Sequence, residues 1–395
     1  MSSRLPTALL LSLASAVAAA QAEDVASSAA GQDPTGRAVL PADAALPAAA
    51  PHVAVGDDGT ALVVFAADEE IWCAVSGDGG ASFRAPVRVG AAGRLESGLA
   101  RGPRAVVLPD ALAVLAICGE QGQGRDGNLL AWRSADGGLT WKGPLRVNDV
   151  GDSAREGLFA LAAGPGGQLF GTWLDLRSGA TELWGDWSTD GGATWSEDVP
   201  LYRSPDGSIC ECCAPAAAFD PGSGNAMAIW RNKLGANRDM YALVARRGSQ
   251  SLVHEAQPLG DGHWELQACP MAGGGLAFSA RGELITFWRR GQGLYTAAPG
   301  LSETQVGEGR EASVAAGPAG FQLAWTDGHG RVMTALALHL GGAQDARVLG
   351  RGVNVTAAGA PDGNGPVLAV WETGESTAAS LRFERLAERR PPASR

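Results

Sequence analysis

The chain has 395 residues and a formal net charge of −11, with 31 Lys plus Arg against 42 Asp plus Glu. That balance leaves no basic face of the kind nucleic acid requires, so nucleic acid is not an expected partner. Fifty-six glycines and twelve tryptophans beside three tyrosines suit a chain with many tight turns and a repeated aromatic core position.

Residues 1–22 carry Arg4, an apolar run over 8–20 and a small-residue site at Ala20-Gln21-Ala22. This is the layout of an export signal, and the run is too short to span a bilayer. Cleavage is expected near Glu23, which places the mature protein in a periplasm or outside the cell. No later run reaches membrane-spanning length, so no span is expected after cleavage. Residues 23–50 are rich in Ala, Ser, Pro and Gly and read as a linker with at most one short strand, at 37–40.

From 51 to 387 one unit recurs: an apolar strand, a Gly-rich turn, a strand ending in a large apolar residue, a loop, and two further strands. The second strand is its landmark, at 61–65, 112–117, 169–173, 227–230, 284–288, 322–325 and 367–371. Turn signals at 56–59, 164–167, 220–222, 280–282 and 361–363 separate the strands, with no helical period between them. Short strands in radial repetition predict an all-β propeller of four-stranded antiparallel blades. Seven landmarks predict seven blades, beginning near 51, 99, 158, 214, 271, 312 and 354, with six blades as the alternative. The last unit stops near Leu386 with three strands, and 37–40 would supply the fourth and close the ring. Residues 388–395 read as a disordered tail.

Three octapeptides stand out within this pattern. Residues 188–195 read Ser-Thr-Asp-Gly-Gly-Ala-Thr-Trp, 134–141 read Ser-Ala-Asp-Gly-Gly-Leu-Thr-Trp, and 76–83 read Ser-Gly-Asp-Gly-Gly-Ala-Ser-Phe. In each, an Asp (Asp78, Asp136, Asp190) can accept amides just ahead of it, glycines (Gly80, Gly138, Gly192) supply positive φ, and an aromatic (Phe83, Trp141, Trp195) plugs the corner opened by a serine (Ser76, Ser134, Ser188). A fourth copy would fall at 245–249, where Ala-Arg-Arg-Gly-Ser has lost the pattern. The octapeptides resemble the Asp box, or BNR repeat, of the sialidase-like β-propeller superfamily. That resemblance implies the fold; the same box serves glycosidases, sugar-binding modules and assembly factors, so it fixes no activity.

The resemblance also places active sites on the face opposite the boxes. Charged and amide groups recur there just after the second strands: Glu120, Asp175, Arg177, Arg231, Asn232, Arg289, Arg290, Asp327 and Glu372. They form either a solvated rim or a mixed-charge funnel around the axis. For a sialidase the family implies an arginine cluster, a Tyr nucleophile paired with Glu, and an Asp acid/base. The residues open to those roles are Tyr241, Arg177, Arg231, Arg289 and Asp175, but the Arg-Ile-Pro tripeptide of that family is absent from the mature chain.

Cysteines mark the same face. Cys210, Cys212 and Cys213 lie in the connection after blade 3, and Cys269 lies in the connection after blade 4, beside His263 and Trp264. The loop between them carries Arg231, Asn232, Arg238 and Asp239, the expected ligand-binding group. Four cysteines converging in an oxidising compartment allow a disulfide knot, or a thiolate site for copper or zinc. Cys73 and Cys118 read as a further pair or as buried thiols. These segments resemble a set of exported Asp-box proteins, over roughly residues 50–275. The sequence therefore predicts an exported binding or assembly module for a small molecule, glycan or protein. The alternative is an exo-α-sialidase-type hydrolase of acidic sugars.

Overall fold

A computed structural model describes residues 36–41, 46–155, 157–248, 256–374 and 380–386. The expected export signal, most of the linker and the tail at 388–395 lie outside these residues, as does Ser249 of the lost fourth box.

Seven antiparallel sheets form a ring. Blade 1 runs Ala48–Val55, Ala61–Ala67, Glu70–Ser76 and Val87–Gly90 from axis to rim, and blade 3 runs Phe159–Ala163, Leu169–Asp175, Glu182–Ser188 and Val199–Tyr202. Blade 4 runs Ala216–Phe219, Ala226–Arg231, Met240–Ala245 and Gln257–Pro258; blade 5 begins at Gly274–Phe278 and blade 6 at Arg310–Gly317. Blade 2 has a divided inner edge, because Arg94–Leu95 and Arg104–Leu108 both pair with Ala111–Gly119. In blade 7, Arg37 and Ala38 pair with Phe383 and Arg382, and the Val39 amide donates to the Leu381 carbonyl at 3.0 Å. The ring thus closes between its first and last strands, which covers an edge that would otherwise offer unpaired backbone groups.

The ring is held by apolar seams between neighbouring blades. The second strands end in Phe65, Trp173, Trp230, Trp288 and Trp371, all fully buried, with Trp325 close behind. Burying each such side chain stabilises the fold by roughly 1.5–3 kcal/mol. Cys73 and Cys118 are free thiols inside the seam between blades 1 and 2, and burial pushes each up to about 12. They pack as small apolar groups.

The three octapeptides share one set of hydrogen bonds. Ser134 Oγ accepts the Gly138 amide at 2.9 Å and donates to Asp136 Oδ1 at 2.8 Å, while Asp136 Oδ1 accepts the Thr140 amide at 2.9 Å. Ser76 with Asp78 and Ser188 with Asp190 repeat the arrangement. Gly138 sits at φ +85°, in the left-handed region, and a Cβ there would stand 2.8 Å from Val75 of blade 1. The closing aromatics reach back into the preceding blade: Phe83 meets Phe383 edge-on at 4.9 Å, Trp141 packs on the seam of blades 1 and 2, and Trp195 on that of blades 2 and 3. These turns are therefore fasteners between blades. Ser134→Ala leaves the buried Gly138 amide unpaired and is expected to cost about 1–3 kcal/mol in chemical denaturation. An unchanged midpoint would contradict this role.

Candidate functional site

The inner strands surround an axial channel of about 400 Å³. Its wall is mostly alanine, valine and glycine, so the polar groups in it are few. His52 Nδ1 accepts the Ala105 amide at 3.2 Å; burial, with Arg104 adding, pushes its pKa down to about 3, so the imidazole is neutral. Arg104 donates to the carbonyls of Ala100 and Pro103, each at 3.1 Å, and lies over the Phe159 ring.

The mouth of the channel has a repeated backbone irregularity. Ala50, Ala100, Met271, Glu311 and Asn354 all line it and all have positive φ, at 50°, 59°, 47°, 60° and 54°. Non-glycine residues adopt this region at a cost, and such strain is concentrated where a fold orients functional groups. In blades 1, 6 and 7 it coincides with a register shift at the start of the inner strand. Neighbouring carboxylates hold the bulged amides: Glu372 accepts Ala50 N at 3.1 Å, and Glu311 accepts Asn354 N at 2.7 Å.

Against this mouth, between blades 4 and 5, lie the thiols. The Cys210 amide donates to the Arg231 carbonyl at 3.0 Å and the Ile209 amide to the Thr181 carbonyl at 3.0 Å, so the loop is stitched to blades 3 and 4 before it enters the inner strand of blade 4. Cys210, Cys212 and Cys213 are 3, 6 and 1% exposed. Cys210 Sγ is 3.9 Å from Cys212 Sγ and 3.8 Å from Cys213 Sγ, and all three sulfurs lie within 4.8 Å of one another. Hydrogen bonds from Cys212 and then Cys213 draw the Cys210 thiol well below its ordinary pKa, with the charge of Arg231 adding; the same contacts push Cys213 up. Cys269 does not join the trio: it is exposed, and its thiol interacts with Cys212, which together with partial burial pushes it up to about 11. All six cysteines are unbridged.

The four residues expected to bind ligand converge here, but most of their polar atoms point inward. Arg231 is 1% exposed, and its guanidinium donates to three backbone carbonyls: Ala272 at 2.9 Å, Arg238 at 2.6 Å and Arg289 at 2.8 Å. Asn232 is buried and donates to the Tyr202 hydroxyl at 2.9 Å. Asp239 pairs with His263 at 2.7 Å and accepts the Trp264 amide at 2.8 Å. The Trp264 ring lies under the guanidinium groups of both Arg231 and Arg289, at 5.0 and 5.7 Å. Arg238 Nη1 and Asn232 Oδ1 are buried without a hydrogen-bond partner.

The residues open to sialidase roles are divided between two places. Asp175, fully buried, accepts Ser153, Trp173 and both the backbone and side chain of Arg177; Arg177 also pairs with Asp198 and covers the Trp184 ring at 3.7 Å. This closed ion cluster braces blade 3. Arg231 and Arg289 lie beside the thiols, and Tyr241 stands opposite Trp230 in register, its hydroxyl pushed up by burial and by Asp239. The expected rim is likewise engaged: Arg290 pairs with Glu303 and Asp327 with Arg331. The recurring charges thus bind segments of the ring to one another. Met271 and Trp264 were given no role by the sequence pattern, because an isolated Met or Trp has no spacing signal.

The bond from Asp239, and then its charge, raises the pKa of His263 above the ordinary imidazole value. A raised folded-state pKa means that the pair's stabilisation is complete below the unfolded value, about pH 6.5, and is lost as pH rises through the folded one. An NMR titration should show Asp239→Asn returning His263 to the ordinary range; an unchanged titration would contradict the pairing.

No family model and no curated protein matches the sequence. Solved structures do match. An alpha-L-arabinanase of Penicillium chrysogenum, solved with arabinobiose, is 12% identical, with 90% of this chain and 99% of that one covered and a TM-score of 0.51. A protein of unknown function from Dyadobacter fermentans is 15% identical, with 90% of this chain and 99% of that one covered and a TM-score of 0.51. At these identities the likeness is one of fold alone, and the chain is a seven-bladed β-propeller.

Proposed function

We propose that this chain is an exported binding propeller whose distinctive site holds one soft metal ion, copper or zinc, on Cys210, Cys212 and Cys213. The observation that carries this reading is the buried sulfur triangle, with all three Sγ atoms within 4.8 Å of one another. Three thiolates at that spacing can converge on one soft ion without moving the backbone, and soft ions select sulfur. Arg231 supplies a positive charge beside them with no carboxylate among its hydrogen-bond partners, which favours ionised sulfur. Export rests on the layout of residues 1–22; among the described residues no helix is long and apolar enough to cross a membrane.

Hydrolysis of acidic sugars receives less support from the geometry. Among the described residues the Tyr241 hydroxyl has no carboxylate hydrogen-bond partner, and Arg177 is closed off by Asp175 and Asp198. A sialoside assay is expected to show no turnover.

Reduced, purified protein should take up one copper or zinc ion per chain. Cys210→Ser and Cys213→Ser should each weaken binding by more than about 100-fold, since losing even an outer-shell partner costs about 10–100-fold. Failure to bind either ion, with the three thiols recovered in disulfides, would overturn the proposal in favour of a structural knot.

A further inference from the structure

We propose that the segment joining blades 4 and 5 completes this site for copper(I), with Met271 as a fourth sulfur ligand and Cys269 as the solvent-facing thiol through which the ion is exchanged. The inference rests on the soft-metal reading of the trio above and adds the identity of the ion and its route.

The segment is fixed over the trio from both sides of Ala272. The Ala272 amide donates to Cys213 Sγ at 3.4 Å, and its carbonyl accepts Arg231 Nε at 2.9 Å. Met271, one residue earlier, packs against the cluster that Cys210, Cys212 and Cys213 form. Its φ of 47° is one of five positive values among the non-glycine residues that line the channel, the others being at Ala50, Ala100, Glu311 and Asn354. Of these five residues only Met271 carries a thioether, and it is the one that lies beside three thiols. A thioether is a neutral, soft donor: it suits copper(I), whereas zinc sites in proteins draw on thiolate, imidazole and carboxylate.

Cys269 differs from the trio in being exposed, and it lies two residues before Met271 and three before Ala272, both of which touch the trio. Sulfurs as buried as Cys210 and Cys213 cannot meet a donor protein or chelator directly. An exposed thiol next to them can, by stepwise ligand exchange. As a copper–sulfur bond forms at Cys269, one bond to the donor breaks and the thiol proton passes to solvent. As the trio takes over, copper–sulfur bonds form there and any protons on those thiols pass to solvent, while the bond to Cys269 breaks and its sulfur takes a proton back from solvent. Copper stays monovalent throughout, so no oxidant or reductant is consumed.

The test uses the full mature protein, reduced and anaerobic, with copper(I) supplied as its bicinchoninate complex and followed by absorbance at equilibrium and in stopped flow. Cys269→Ser should slow loading and removal at least about tenfold, a larger effect than on equilibrium affinity. Met271→Leu, a shape-conserving change, should lower the ratio of copper(I) to zinc affinity by about 10-fold or more. Far-ultraviolet circular dichroism of both variants checks that the ring is intact. If Cys213→Ser still binds copper with wild-type affinity, the underlying site is absent. If Cys213→Ser loses binding while Cys269→Ser exchanges at the wild-type rate and Met271→Leu keeps the wild-type ratio, the trio stands and this inference alone is overturned.

Discussion

The guanidinium of Arg231 is the tie on which the thiol side of the wheel depends. Removing such a cation from water costs on the order of several kcal/mol, and a carboxylate is the usual compensation. Here the compensation comes from three backbone carbonyls, those of Arg238, Ala272 and Arg289. They belong to a loop of blade 4, to the connection that follows it, and to blade 5. Three segments far apart in sequence are therefore held to one side chain, and the Cys210 amide is held to the backbone carbonyl of the same residue. The positive charge also lies beside the sulfur triangle, so ionisation of a thiol there meets a counter-charge already in place.

The repeat sets the terms for everything placed on it. Three blades contribute a corner fastened by the serine and aspartate of an octapeptide turn on one face, and five contribute a residue of positive φ at the channel mouth on the other. The first makes the wheel rigid, with Phe83, Trp141 and Trp195 wedged into the preceding blade. The second places at the channel mouth alanine twice, Glu311 and Asn354 in bonds that hold the mouth together, and Met271 against three thiols.

Much of the architecture was legible in the sequence because it depends on period. Seven second strands gave seven blades, the aromatics ending most of them are buried core, and Arg37–Ala38 lies on the last blade. The meeting of the Cys210 loop with the Cys269 connection was also legible, since successive connections open on the same face. The divided inner edge of blade 2 was not, because Arg94–Leu95 is too short to carry a pattern. Nor was the use of the charges. Arg177 follows the second strand of blade 3 and Arg231 ends that of blade 4, yet one is closed by carboxylates and the other by carbonyls. That outcome depends on partners such as Asp198 and Ala272, which only the folded chain brings near. For the same reason sequence spacing grouped Cys269 with the trio, whereas burial separates an exposed sulfur from three enclosed ones.

The central claim is that a soft ion sits among these sulfurs at the channel mouth. The most direct measurement is a crystal structure of the copper-loaded protein, with an anomalous difference map at the copper absorption edge. The account predicts one peak enclosed by the sulfur atoms of Cys210, Cys212, Cys213 and Met271. A peak elsewhere, or bridging disulfides among these cysteines with no metal between them, would contradict it.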